Sequence, residues 1–219
     1  MSKSAARWSV AVLVVIAALV VALWPRSDAG DAGDTHADRF TGSTATPSGP
    51  VDESALADAR ERAALAPCPA PSGAPVADSP FAGVTLTCLG DGAPVDLAEA
   101  LAGKPALVNL WAYWCAPCAE ELPYLQQFSA EAGDAVTVLT VHTDTNEANA
   151  LARLADYGVT LPGVQDGSAR VQAAVGAPAV LPVSVLVRAD GTVASVLPKP
   201  FDSVAEIRDA VRDGLGVVA

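Results

Sequence analysis

Two cysteines three positions apart, Cys115 and Cys118, stand in the run Trp111-Ala-Tyr-Trp-Cys-Ala-Pro-Cys-Ala-Glu-Glu-Leu-Pro123. Thiols at that spacing can close a small ring and reopen it, so the chemistry they offer is thiol–disulfide exchange. The competing readings are half of a zinc site or a structural bridge. A zinc site needs two more ligands at close spacing, and the other cysteines, Cys68 and Cys88, are isolated from each other. No metal and no cofactor other than the Cys115–Cys118 disulfide itself is therefore expected.

These residues need a rigid mount, and the flanking sequence supplies one. Pro105 to Trp111 is an apolar run of strand length, and Ala116 to Glu131 carries Leu122, Leu125 and Phe128 at helical spacing. The pair thus falls on a strand-to-helix turn. A cysteine at the first turn of a helix has unpaired backbone N–H groups and the positive end of the dipole beside it, and both favour thiolate. Cys115 is the expected nucleophile. Cys118, one turn further in, is placed to attack a mixed disulfide on Cys115 and is the expected resolving thiol. Pro117 suits an early helical position, which needs no N–H donor, and stiffens the small loop.

The stretch from Trp111 to Pro123 resembles the active site of the thioredoxin superfamily, and its Glu121-Leu122-Pro123 tail is similar to the TlpA/ResA-like branch of membrane-tethered thiol-disulfide oxidoreductases. The resemblance covers about the last two thirds of the chain, from near Val76 onward. It implies a cis bond between Leu181 and Pro182, ahead of the strand Val183 to Val187, with the Leu181 backbone free to pair with an extended substrate segment. A proline opening an edge strand is the plainer alternative. Pro178 lies too far ahead of the strand to compete. Where cytoplasmic thioredoxins carry a buried aspartate, six residues before the first cysteine, this chain has Asn109, so that base is missing. Glu121 matches instead the glutamate of the TlpA/ResA-like proteins. One helical turn from Cys118, and partly buried, it would have a raised pKa and could relay the resolving thiol's proton; otherwise it is an ordinary exposed glutamate like Glu120. The resemblance also implies a kink at Pro123. Trp111 reads as core and Trp114 as a shield for the disulfide. His142 and Asp144 read as a satisfied pair at a strand end, and His36 needs no role.

Upstream, Lys3 and Arg7 precede an apolar stretch from Trp8 to Trp24. As a helix it would be about 26 Å long, against a bilayer core of roughly 30 Å. Residues 1–7 are expected in the cytoplasm and 8–24 as a signal anchor, since the basic residues come first and Trp stands at both ends. The alternative is a cleaved signal peptide, against which Ala22-Leu23-Trp24-Pro25 offers no small-x-small site. A lipoprotein would need a cysteine just after the apolar run, and the first is Cys68. Residues 25–75 are expected to be a disordered spacer carrying one short helix, Asp52 to Leu65, whose weak stripe of Ala, Leu56 and Leu65 favours a solvated continuation of the stalk over packing on the domain.

Everything after Trp24 is then extracytoplasmic, single-pass on a bacterial cytoplasmic membrane, where disulfides persist. Cys68, in the loop Ala66-Pro-Cys-Pro-Ala-Pro71, and Cys88, ending Val84-Thr-Leu-Thr-Cys88, are expected to form a structural bridge closing a loop of about 20 residues. The alternatives are a buried free Cys88 with an exposed Cys68, or a second redox-active pair. The formal net charge is −12 and the isoelectric point near 4.4. That balance argues against nucleic acid and against adhesion to anionic lipid as partners.

From Val84 the pattern alternates. Strands are expected at Val84 to Cys88, Pro94 to Leu97, 105–111, Val136 to His142 and near Val159 to Leu161, with a closing hairpin of Val183 to Val187 and Val193 to Leu197. Helices are expected at Ala98 to Ala102, from Ala116, at Asn146 to Tyr157, Ser168 to Val175 and Ser203 to Leu215. This is an α/β class with a mixed central sheet flanked by helices, similar to the thioredoxin fold with an added N-terminal hairpin, over residues 76–219.

The function this implies is exchange of the Cys115–Cys118 disulfide with cysteines of exported proteins. The family resemblance favours a reductant of cytochrome c maturation type, acting on apocytochrome c or similar proteins and recharged by a membrane thiol transporter. The alternative is an oxidase that introduces disulfides into secreted proteins. A peroxidase is disfavoured because Ala112 stands where a Thr or Ser would be expected, three residues before the reactive cysteine. A non-catalytic binding module is the remaining class.

Overall fold

The computed structural model describes residues 53–74 and 78–218. The expected anchor at 8–24 and the spacer up to residue 52 lie outside the described residues; among those described, no helix is long and apolar enough to cross a membrane. The elements in order are α1 (Glu53–Ala63), β1 (Thr85–Cys88), β2 (Pro94–Asp96), α2 (Leu97–Ala100), β3 (Ala106–Trp111), α3 (Ala116–Ala132), β4 (Thr137–His142), α4 (Glu147–Asp156), β5 (Gly163–Gln165), α5 (Arg170–Ala174), β6 (Val183–Val187), β7 (Val193–Leu197) and α6 (Val204–Leu215). The strands form one sheet in the order β2-β1-β5-β4-β3-β6-β7. β3 runs parallel to β4, and β4 to β5, while the outer pairings are antiparallel. This is the mixed α/β sheet expected from the alternating pattern, with β1 and β2 as the added leading hairpin.

β3 is buried along its whole length, which is why it reads as a continuous apolar run. Its side chains alternate between two cores. Leu107 and Trp111 pack with Leu122, Leu125 and Phe128 of α3, and Ala106, Val108 and Leu110 pack in the other core with Leu97 and Leu139. The period of two puts Asn109 on the same side as Leu107 and Trp111, facing α3. In the same way His142 follows Val138 on β4 toward that side, and Ser184 is paired with Asn109 across the sheet.

Two elements begin later than expected, while most other boundaries shift by no more than one or two residues. The strand anticipated near Val159 to Leu161 forms at Gly163–Gln165. Pro162 cannot donate to a ladder, and a Cβ at Gly163 would lie 2.7 Å from Thr140 Oγ1 and 3.0 Å from Leu89 Cδ1, so the close approach needs glycine. The helix anticipated from Ser168 starts at Arg170 because Asp166, almost fully buried, accepts from the N–H groups of Arg170 and Val171 at 2.9 and 2.8 Å.

The solvated reading of the first helix is corrected. Leu56, Ala59 and Ala63 of α1 are buried in the α3-side core. Arg60 bonds Glu147 at 2.9 Å, and the chain continues by donating Ala66 N–H to the Thr160 carbonyl at 2.7 Å. The alanine-rich stripe of α1 packs against α4. Cys68 and Cys88 are bridged, their Cα atoms 6.1 Å apart. The bridge ties the loop after α1 to β1.

Candidate active site

Cys115 caps the N-terminus of α3 in an extended conformation. Its Sγ accepts the Cys118 backbone N–H at 3.3 Å, and its own N–H bonds the Ala112 carbonyl at 3.0 Å. Pro117 stands in the first helical turn, where its missing donor costs nothing. Cys115 and Cys118 are bonded to each other with Cα atoms 5.3 Å apart. Cys115 retains 6% of its surface and Cys118 none, so an incoming sulfur reaches the first and not the second.

Glu121 lies one turn beyond Cys118 and is fully buried. Its Oε2 accepts from Asn109 Nδ2 at 2.9 Å and its Oε1 from the Phe201 N–H at 3.1 Å. Burial raises its pKa from 4.5 to about 7, against the downward pull of those two bonds and with a smaller upward push from Glu206. Asn109 also donates to Ser184 Oγ at 3.1 Å, while its own Oδ1 has no partner. The absence of an aspartate at position 109 was legible; that the asparagine serves Glu121 was not, although its parity with Leu107 and Trp111 carries that signal. Helix α3 runs on through Pro123 to Ala132.

Leu181–Pro182 is a cis peptide. Leu181 and the residues before it form, with Trp114, Thr143, Ala169 and Gln172, a mostly apolar cleft of about 510 Å³. Trp114 is 61% exposed and donates its indole N–H to Asp144 Oδ2 at 3.0 Å. It forms a wall of this cleft. Trp111 is core, with its indole N–H unpartnered. His142 and Asp144 do not pair with each other as a unit. His142 Nδ1 lies 2.9 Å from Gln165 Oε1, and Asp144 serves Trp114 and the Asn146 N–H. Gln165 was not singled out in the sequence, and nothing in its local pattern marks it. Among the described residues no group of three or more His, Cys, Asp or Glu could hold a metal ion.

The family model described as Redoxin matches residues 69–211. Among curated relatives, the thiol-disulfide oxidoreductase ResA of Oceanobacillus iheyensis is 34% identical over 37% of this chain and 43% of its own length. The chain spans about half the length of the curated relatives it matches. Among solved structures, a secreted Mycobacterium tuberculosis disulfide oxidoreductase homologous to E. coli DsbE superposes with a TM-score of 0.52 at 29% identity, covering 62% of this chain and 97% of that one. Mycobacterium tuberculosis DsbF, in mixed oxidised and reduced forms, superposes with a TM-score of 0.55 at 27% identity, covering 61% and 96%.

Proposed function

This chain belongs to the Redoxin family, and from that premise we propose that it is an extracytoplasmic thiol-disulfide oxidoreductase that exchanges Cys115–Cys118 with cysteines of exported proteins. The observation that carries this is the asymmetry of the pair. Cys115 caps a helix, accepts an N–H and is reachable, whereas Cys118 is sealed beneath it, one helical turn before a buried carboxyl whose pKa burial raises to about 7.

In the reducing direction the Cys115 thiolate attacks a substrate disulfide, forming a mixed disulfide and releasing one substrate thiolate, which takes up a proton. The helix N-terminus and the Cys118 N–H hold the attacking sulfur as thiolate. Ionised Glu121 takes the Cys118 proton, and the new thiolate attacks Cys115 Sγ. The Cys115–substrate bond breaks, the second substrate sulfur leaves as a thiolate that takes up a proton, and two electrons have passed from the dithiol to the substrate. The cleft beside Trp114 and Leu181 receives the chain flanking the substrate cysteine.

The family resemblance favours the reductant role of cytochrome c maturation type, with apocytochrome c or similar exported thiol proteins as substrates and a membrane thiol transporter as electron donor. The N-terminal stretch 8–24 would hold the protein on the membrane as a single-pass anchor. The same residues run the reaction in reverse, which would introduce disulfides into secreted proteins.

The test is the equilibrium reduction potential of the full chain against glutathione, with Cys115→Ser/Cys118→Ser to subtract Cys68–Cys88. A value near −270 mV, that of thioredoxin, supports the reductant, and one near −120 mV makes the protein an oxidase. No thiol exchange with insulin under dithiothreitol would leave only a binding module.

A further inference from the structure

Three successive residues at the end of β4 grip the loop that carries the nucleophile. Thr143 gives its backbone N–H and its hydroxyl to the Trp111 carbonyl at 2.9 and 3.2 Å. Asp144 accepts the Trp114 indole N–H. His142 Nε2 lies 3.4 Å from the Tyr113 backbone nitrogen. The first two contacts can form in one sense only, but the third depends on where the imidazole carries its proton.

A chain of bonds fixes that proton. Gln165 Nε2 contacts the Asp144 carbonyl oxygen, which can only accept, so the amide NH2 of Gln165 must point there. Its Oε1 therefore faces His142 Nδ1 at 2.9 Å, and an amide oxygen also only accepts. The proton sits on Nδ1. Nε2 keeps its lone pair and meets the Tyr113 N–H. The ring is fully buried between Trp111 and Tyr113, with ring centroids 5.0 and 6.0 Å away, and burial holds its pKa below the ordinary histidine value.

We propose that His142 is a positioning residue for Cys115: as the neutral Nδ1–H tautomer it holds the Tyr113 amide and so fixes the turn from Ala112 to Cys115 that presents the nucleophilic sulfur to the Cys118 N–H. This inference rests on the exchange reading above. The Nε2–H tautomer would set N–H against N–H at Tyr113 and open the turn. The turn closes on the 3.0 Å bond from the Cys115 N–H to the Ala112 carbonyl, with Tyr113 as its second residue. A freed Tyr113 amide therefore acts on the orientation of Cys115 directly.

Asparagine and glutamine separate the two nitrogens of the ring. In His142→Asn the amide keeps a donor where Nδ1 was and loses the acceptor toward Tyr113. In His142→Gln the oxygen can reach the place of Nε2. The measurement is the site-resolved rate of iodoacetamide alkylation of Cys115 in the reduced full chain, across pH. His142→Asn is expected to slow Cys115 about five- to tenfold at neutral pH, the effect of one lost hydrogen bond of about 1 kcal/mol, while His142→Gln stays within about twofold of the natural protein. Equal rates in both variants would overturn the proposal. Should a variant fail to fold, the imidazole 15N shifts of the natural protein decide, with His36→Gln to assign the two histidines. An Nδ1–H tautomer at His142 supports the proposal, and an Nε2–H tautomer overturns it. A natural Cys115 that alkylates no faster than free cysteine removes the exchange reading and this inference with it.

Discussion

Asn109 Nδ2 donates to Glu121 Oε2 across 2.9 Å of buried space, so the central strand offers a neutral amide to the carboxyl that lies one turn from the resolving cysteine. The bond favours the ionised form, and burial opposes it more strongly. The carboxyl is thereby left near neutrality, where a proton acceptor for a thiol is most effective.

The rate at which Cys118 resolves a mixed disulfide should accordingly rise with pH through an inflection near 7. Glu121→Gln, which cannot ionise, is expected to lose that inflection and to slow resolution by about 10²-fold, the lower end for a positioned base. Asn109→Ala removes a bond that favours the carboxylate and is expected to move the inflection upward. Stopped-flow release of a chromogenic mixed disulfide measures both. An unshifted inflection in Glu121→Gln would assign it to another group.

The same carboxyl makes stability depend on pH. In the folded chain Glu121 holds its proton up to about pH 7, whereas unfolded it releases it near 4.5. Between those values the native carboxyl holds a proton that the unfolded one has lost, so its own contribution to stability is greatest below 4.5, falls as pH rises through the window and levels off above 7. At about 1.4 kcal/mol per unit the fall is up to about 3 kcal/mol. Glu131, Asp190 and Glu206, whose pKa values are lowered by their hydrogen-bond partners, act below that window. His142, whose pKa burial lowers, acts within the window in the opposite sense, so the share of Glu121 is read against the variant: going from pH 8 to pH 4.5, the urea midpoint of the oxidised natural protein should shift toward higher stability relative to that of Glu121→Gln.

The pair Cys115 and Cys118 and the hairpin Val183–Val187 with Val193–Leu197 were legible in the sequence because each depends on local spacing and a local turn. The contacts that tune the site were not. Asn109 to Glu121, Phe201 to Glu121 and Gln165 to His142 join residues 12, 80 and 23 positions apart, and no short-range pattern encodes them. Strand parity could have placed Asn109 and His142 on the α3 side, since both alternate with core residues whose side is set by α3. The start of α5 depended on Asp166, a buried cap four residues upstream, which a search for helical periodicity passes over.

The Cys68–Cys88 bridge closes a separation of 20 residues far from the sequence of the active-site motif. Replacing both by Ala should cost about 3 kcal/mol on the chain-entropy account, measured by denaturant unfolding. It should leave the reduction potential of Cys115–Cys118 within about 10 mV of the natural value, since 30 mV already corresponds to about 1.4 kcal/mol. A larger shift would couple the two bridges and revive the relay reading of the second pair.

Helix α1 sets where the folded unit begins. Leu56, Ala59 and Ala63 are buried in the core that also holds Cys115 and Cys118, and Arg60 bonds Glu147 with both side chains only 17% exposed. With both ends mostly out of water, the attraction of that pair is offset by the cost of desolvating two charges, and the apolar contacts carry the net gain. Leu56→Ala should therefore destabilise by about 2 kcal/mol, at the low end for a buried leucine because the site lies beside alanines that can close on it, while Glu147→Gln, which leaves the Arg60 charge without its counter-ion, should cost about 1–3 kcal/mol. A chain begun at residue 76 loses α1 and the bridge together and should unfold at a clearly lower urea concentration than one begun at residue 50. Equal midpoints would mean that α1 rests on the domain without supporting it.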